Sequence, residues 1–405
     1  MKPDNDIDKG AEYLKSSPVF NLSLSSLELF HSNFIYWMLR QDEFADKFTI
    51  FSNFDTVINE KGKELELKEV TREEQNLDIV LKFKSRASEN DDVVHTLVIE
   101  NKFKSLPTSE QLKLYSEKKI NSDSVSYILL SLSNPVFFDK NRKWVSENGK
   151  SWKFMNNADL ALHLENKILK IYPNNGNYKL KLIGDYRRVI KLLHDIFFNM
   201  GLNDEEKFLF EEDNGLAETL RTIRFRDFYV KKRAEKFCFD VYQQLKKEIS
   251  NIDAFKDFGT GLKIKEKGKK ERKITVNSGM TRGQALCDFK YRVSNNLVFG
   301  VQLQGNQYRK TIEGPSSKGR EVRRVAEGLL SSKNYPWFDL SDRVHDGESR
   351  LYPKSGKDFN KYGNNFFYRS FYLDGTEKVN QIKQYVLEDM KYLHEHKEEL
   401  AKLSR

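Results

Sequence analysis

Cysteine is nearly absent from this sequence: Cys238 and Cys287 are the only two in 405 residues, far apart, with no CxxC motif or Cys/His cluster beside either. Neither a disulfide scaffold nor a structural zinc site is expected, and a reducing cytoplasm fits. Long apolar runs are missing too. Phe34–Leu39 and Val189–Phe198 fall far short of the roughly 18 apolar residues that a membrane helix requires, and charge interrupts the second. Met1–Lys15 carries Asp4, Asp6, Asp8 and Glu12 where a secretory signal would be apolar, so no export and no membrane contact are expected. No Walker A loop is present, since Gly356-Lys357 lacks both the glycine five positions earlier and a following Ser or Thr, which argues against ATP-driven translocation within the chain. No solenoid-period repeat or long low-complexity tract occurs. The histidines are scattered, and His394 with His396 reads as part of a charged, solvated helix face.

What is present describes a folded protein with a wet surface. Hydrophobic residues make up 38%, charged residues 32% and aromatics 13%, too apolar for a disordered chain. The length suffices for two domains or one large domain with an appendage. The net charge of +9 favours a polyanionic partner without requiring one.

Apolar positions at three- and four-residue steps predict an amphipathic first helix over Ser23–Arg40. Strand character follows around Phe48–Ile58 and Leu65–Val70. Leu77–Phe83 and Val93–Lys102 flank the polar stretch Ser85–Asp92 and read as a β-hairpin. Thr108–Lys118 is a predicted helix after Pro107, and Val125–Leu132 a buried strand parallel to its partner through a right-handed crossover. Helical patterns cover Asp159–Ile171, Tyr178–Met200 and Leu216–Ile249. Beyond them come strand-like pieces at Gly261–Val276, Ala285–Val293 and Leu297–Gln304 and a closing helix, Thr376–Leu403. The expected organisation is an α/β domain over residues 1–172, a helical connection over 173–250, and a C-terminal α+β module over 251–405 that selects substrate or mediates assembly.

The tripeptide Glu-x-Lys occurs seven times, and Glu-Asn-Lys twice, at Glu100–Lys102 and Glu165–Lys167. Only the copy at Glu100 ends an apolar strand, where alternation places Glu100 and Lys102 on one face with Val98. If that strand pairs antiparallel with Leu77–Phe83, Asp78 faces Glu100 and the midpoint, residue 89, falls in the polar turn. Opposed carboxylates repel unless a cation lies between them. Two carboxylates suit Mg²⁺ (or Mn²⁺), which keeps waters and phosphate oxygens in its shell, and the Asn101 carbonyl offers a further ligand. The Lys102 ammonium can orient water and stabilise charge on a scissile phosphate.

Asp78, Glu100 and Lys102, followed by Gln111 and Tyr115 in Gln-Leu-Lys-Leu-Tyr, resemble the PD-(D/E)xK nuclease superfamily, with the QxxxY element of its RecB-like members. The resemblance covers about residues 23–170 and implies a restriction-endonuclease-like αβββαβ core. It implies metal ligation by Asp78 and Glu100, a catalytic Lys102, and Gln111 and Tyr115 positioning the site or the nucleic acid. An acidic residue of the first helix joins the metal shell in many members, and Glu28 matches it. Leu77 stands where the superfamily's name has proline.

Two basic stretches, Lys263–Lys273 (with Lys263, Lys265, Lys269, Lys270 and Lys273) and Arg309–Arg324 (with Arg320, Arg323 and Arg324), read either as grips on a phosphate backbone or as solvated surface. Tyr291, Tyr308 and Tyr335 read as base-stacking or core residues. The function expected is a Mg²⁺-dependent nuclease of DNA, ahead of RNA, acting in restriction, phage defence or repair, with a homo-oligomer or a defence complex as partner. Two alternatives are a non-catalytic nucleic-acid-binding or scaffold protein on the same fold, and an RNA-cleaving toxin-like nuclease.

Overall fold

In the computed structural model, residues 4–24, 27–87, 92–172, 176–198, 202–208, 215–249, 274–331, 336–344, 350–353 and 357–403 are described. They divide into two units, Met1–Met200 with Asp213–Tyr229, and Gly201–Glu212 with Val230–Arg405.

The first unit opens with α1 (Asp4–Ser16), α2 (Pro18–Ser23), α3 (Leu27–Leu39) and α4 (Thr56–Lys61), the last capped by the Asp55 carboxylate. Then come β1 (Leu65–Glu74), β2 (Leu77–Ser85), β3 (His95–Lys102), α5 (Ser109–Ser116), β4 (Ser124–Ser131), β5 (Lys143–Val145), β6 (Ser151–Asn156) and α6 (Asn157–Leu164). α7 (Tyr178–Phe198) and α8 (Gly215–Thr222) complete it, and α9 (Arg226–Glu248) begins in it. The sheet runs β1-β2-β3-β4-β6-β5. β1, β2 and β3 are antiparallel, whereas β3–β4 and β4–β6 are parallel, so with the short α4 set aside α3 through β4 follow the order αβββαβ.

Hydrophobic alternation explains this layering. Val80, Val98, Tyr127, Leu129, Trp152 and Phe154 pack with Leu112 of α5 on one face. Ile79, Leu81, Leu97, Ile99 and Ile128, the alternate positions, are buried on the other, where α3 contributes Ile35 and Met38. The β1–β2 turn places Gln75 and Asn76 at positive φ (53° and 60°), a tight reversal two residues before Asp78.

In the second unit, β7 (Ile274–Thr281), β8 (Gln284–Arg292), β9 (Val298–Gln304), β10 (Gln307–Glu313), α10 (Gly319–Ser331), β11 (Leu351–Tyr352), β12 (Asn360–Tyr362) and β13 (Phe366–Tyr372) precede α11 (Val379–Glu395) and α12 (Lys397–Lys402). The sheet is antiparallel, in the order β11-β13-β10-β9-β8-β7, with β12 on β13. Phe289, Leu303, Tyr308 and Phe371 are buried on its apolar face, where α11 contributes Val386 and Met390.

Several expected elements differ. Phe48–Ile58 is not a strand: a 3₁₀ turn, Lys47–Phe51, buries Phe48, Ile50 and Phe51, and Asp55 then starts α4. Within the expected first helix the described helix is Leu27–Leu39, and Pro18–Ser23 forms a helix before it. Leu216–Ile249 is broken where Arg224 takes φ 57° and the Phe225 N–H bonds back to Leu220 O, ending α8. His396 likewise separates α11 from α12. The short strands β5 and β6, and β10 to β13, are additional to those the sequence predicts. α7 stacks Tyr186 on Phe34 of α3 within the first unit, and α9 begins in the first unit and continues in the second. Among the described residues no helix is long and apolar enough to cross a membrane.

Candidate active site

β2 and β3 pair in the register Ile79↔Ile99 through Phe83↔His95. Continued by one step it sets Asp78 across from Glu100, at the hairpin end remote from its turn. The ladder is tied there by the Asn101 N–H, which donates to Asp78 Oδ2 at 2.8 Å. Glu100 is 1% exposed. Its Oε1 accepts from Lys102 Nζ at 2.8 Å and from Gln111 Nε2 at 3.2 Å. Gln111 also donates to the Tyr115 hydroxyl at 2.8 Å, so one turn of α5 links both side chains to the carboxylate. Thr108 caps that helix through the Gln111 N–H. The structure therefore brings Asp78, Glu100, Lys102, Gln111 and Tyr115 together.

Glu28 and Asn101 lie differently from a simple ligand ring. Glu28 Oε1 accepts from the Ser105 N–H at 2.8 Å and from the Ser105 hydroxyl, which ties α3 to the segment after β3. The Asn101 side chain points to the α3 side of the sheet, donating to Ser32 Oγ at 3.0 Å. Ser32 and Ser105 were not identified from the sequence. Ser32 stands four residues after Glu28 on α3, a spacing that could have suggested it, but nothing marked Ser105. His31 is buried, stacked on Phe103 at 3.3 Å, and burial, with the charge of Lys104, pushes its pKa well below the ordinary imidazole value.

The electrostatics follow from this crowding. Burial, then the Asp78 charge, push the Glu100 carboxyl up to about 8, although Lys102 opposes the rise. Burial also raises Asp78, against the Asn101 N–H and Lys102, and Glu28 acts on both carboxyls. For Lys102, burial alone would favour the neutral amine, but Glu100, Glu28 and Asp78 outweigh it and hold the group as an ammonium. Burial and the Glu100 charge raise Tyr115, which stays a neutral phenol.

Glu100 Oε2 is buried and accepts no hydrogen bond, so without an ion only a proton shared with the neighbouring Asp78 carboxyl meets it. Such an oxygen is costly unless something positive meets it. Among the described residues no three His, Cys, Asp or Glu side chains form a group able to hold an ion by themselves. Mg²⁺ needs only one or two protein carboxylates, and two mutually repelling carboxyls with an orphaned oxygen fit that requirement.

Of the expected phosphate contacts, Lys263, Lys265, Lys269, Lys270 and Lys273 lie outside the described residues. Arg320, Arg323 and Arg324 are exposed on α10, whose Val322, Val325, Ala326 and Leu329 are buried; Arg323 pairs with Glu327 at 2.7 Å. Tyr291 and Tyr308 are core residues, at 1% and 0% exposure, and cannot stack on bases; Tyr335 lies outside the described residues.

No curated protein and no solved structure matches the chain. A family model, that of the PD-(D/E)XK nuclease superfamily, matches residues 19–186, the span that holds Asp78, Glu100, Lys102, Gln111, Tyr115 and Glu28. Over this N-terminal region the chain is similar to the PD-(D/E)XK nuclease superfamily.

Proposed function

We propose that the protein is a Mg²⁺-dependent nuclease that hydrolyses phosphodiester bonds of DNA. The observation that carries this reading is the buried Glu100 carboxyl, with one oxygen fixed by Lys102 and Gln111 and the other accepting no hydrogen bond beside Asp78, so that an ion would take the place of the proton the two acids share. Asp78 and Glu100 would hold the ion, Mn²⁺ serving in its place, with Glu28 adding negative charge from α3. When bound, the ion supplies Lewis-acid stabilisation of the phosphate and lowers the pKa of its water.

The chain's own residues do the rest. Lys102, held as an ammonium, donates hydrogen bonds and offsets charge on the scissile phosphate; it does not serve as a base. Gln111 fixes the rotamer of Glu100, and Tyr115 fixes Gln111. The Asn101 N–H orients Asp78. Arg320, Arg323 and Arg324 contribute sequence-independent affinity for phosphates. Restriction, phage defence or repair in the cytoplasm is the setting proposed, by analogy with the superfamily.

The test is incubation of the purified chain with plasmid, single-stranded DNA and RNA, with Mg²⁺ or EDTA, beside Lys102→Ala and Asp78→Ala. Metal-dependent DNA cleavage lost in both variants supports the reading. Binding without cleavage under any metal would replace it with a non-catalytic binder, and cleavage of RNA alone with a ribonuclease.

A further inference from the structure

The C-terminal sheet has one apolar face, described above, and one polar face that the proposed chemistry leaves unused. Register places Lys290, Gly300, Thr311 and Tyr368 in one row across β8, β9, β10 and β13, and Asp288, Gln302, Arg309 and Ser370 in the next. A polar outer face is ordinary for an antiparallel sheet. Two features of this one are not.

The first is the state of Arg309. Its Nε and Nη2 both donate to Gln307 Oε1, at 2.8 and 2.6 Å, and its Nη1 donates to Gln302 Oε1 at 2.7 Å and Gln304 Oε1 at 2.6 Å. Gln304 and Gln307 face each other across the tight β9–β10 turn, where Gly305 has φ 56°. Among the described residues no carboxylate lies within ion-pair distance of this guanidinium. Its hydrogen-bond partners are neutral amides and the Asp288 carboxylate acts on it only from a distance, while its engaged N–H groups deny it a bidentate fork onto phosphate. A fixed, planar cation remains, 4.6 Å over the Tyr368 ring.

The second is that aromatic and basic side chains interleave. Phe366 and Tyr368 have ring centroids 5.9 Å apart, Lys290 Nζ, paired with Glu313 at 2.8 Å, lies 5.9 Å from the Phe366 centroid, and Tyr352 meets Tyr372 edge-on at 4.7 Å. Tyr362, paired to Phe366 on the edge strand β12, is 74% exposed.

We infer that this polar face, centred on Arg309 and Tyr368, binds single-stranded DNA by stacking its bases. Rings and a planar cation recognise the π-faces of bases, which a duplex hides, so the ligand is unpaired. The glutamine amides are spent: Gln302 donates to Asp288 at 2.7 Å, Gln304 to Gln284 at 3.2 Å, and Gln307 to the Tyr372 hydroxyl. Few donors remain to read base edges or a ribose hydroxyl, so binding is sequence-tolerant and does not require RNA. The site extends the proposed substrate class, and its test involves no cleavage, so either reading can fail without the other.

Full-length protein in EDTA would be titrated against fluorescein-labelled oligothymidylate by anisotropy, with blunt duplex and oligouridylate as competitors. Tyr368→Leu is expected to weaken binding about 5- to 100-fold, the loss of one stacked base. Arg309→Lys, which keeps the charge and loses the plane, is expected to weaken it at least about fivefold. Because either variant could unfold the sheet, 5-iodouracil oligonucleotides would be photocrosslinked to the wild-type chain, with adducts expected in β10 or β13. Unchanged affinity in a folded Tyr368→Leu, adducts confined to other segments, or binding only to duplex or only to RNA would overturn the proposal.

Discussion

Replacing Glu100 by glutamine should stabilise the metal-free protein at alkaline pH while abolishing its response to Mg²⁺. In the folded chain burial and Asp78 raise the Glu100 carboxyl from 4.5 to about 8. The folded state therefore holds this proton more tightly than the unfolded state. Its contribution is fully present below about pH 4.5 and is lost as pH rises towards 8. Each decade of acidity corresponds to about 1.4 kcal/mol, so the wild type loses about 2 to 3 kcal/mol between pH 6 and 8 from this group, or about 5 to 10 °C in Tm. The neutral amide of Glu100→Gln escapes that loss. Thermal unfolding of both proteins from pH 6 to 9, in EDTA and in excess Mg²⁺, is the assay. Without metal the variant should melt above the wild type at pH 8.5; Mg²⁺ should raise the wild type most at that pH and leave the variant unchanged. Parallel pH profiles, or equal stabilisation of both by Mg²⁺, would refute the reasoning.

Gln111→Ala removes the bond that fixes Glu100 Oε1 and should lower kcat about tenfold with KM little changed, read by steady-state cleavage of a labelled duplex. Asp55→Ala removes the α4 cap and leaves His95 Nε2, now 2.8 Å from Asp55, without its acceptor. It should cost about 2 to 4 kcal/mol, a fall of about 5 to 12 °C in Tm by calorimetry, with the activity of the remaining folded protein unaltered. Gly300→Ala would set a Cβ 2.4 Å from Phe289 O, in the middle of the C-terminal sheet. A loss of about 2 to 3 kcal/mol in urea unfolding is expected, where an unchanged midpoint would show that the strands can part there.

The parts of this molecule legible in its sequence are those written in a short repeat. Two short apolar runs, in Leu77–Phe83 and His95–Lys102, with a polar stretch between, are enough to give a register, and the observed pairing Ile79↔Ile99 has the same midpoint. α5 could be read from Pro107, Thr108 and the Gln111/Tyr115 spacing, because cap and periodicity agree. Phe48–Ile58 misled because buried Phe and Ile residues suit a 3₁₀ turn as well as a strand, and only the Asp55 cap distinguishes them. Ser105 was invisible because its value comes from a contact with Glu28, 77 residues away. Likewise the division of the chain depends on tertiary packing, such as Tyr186 on Phe34, that no local composition reports.

The carboxylates sit at the open end of the β2–β3 hairpin, and the reversal that joins the strands lies at the other end, five paired positions away. A backbone cut in that reversal would yield an amino-terminal piece owning Glu28 and Asp78 and a carboxy-terminal piece owning Glu100, Lys102, Gln111 and Tyr115. Neither would carry both acids. Fused to two proteins that associate, such halves would regain a complementary pair only when brought together, making the hairpin a seam at which this fold could be divided and conditionally reassembled.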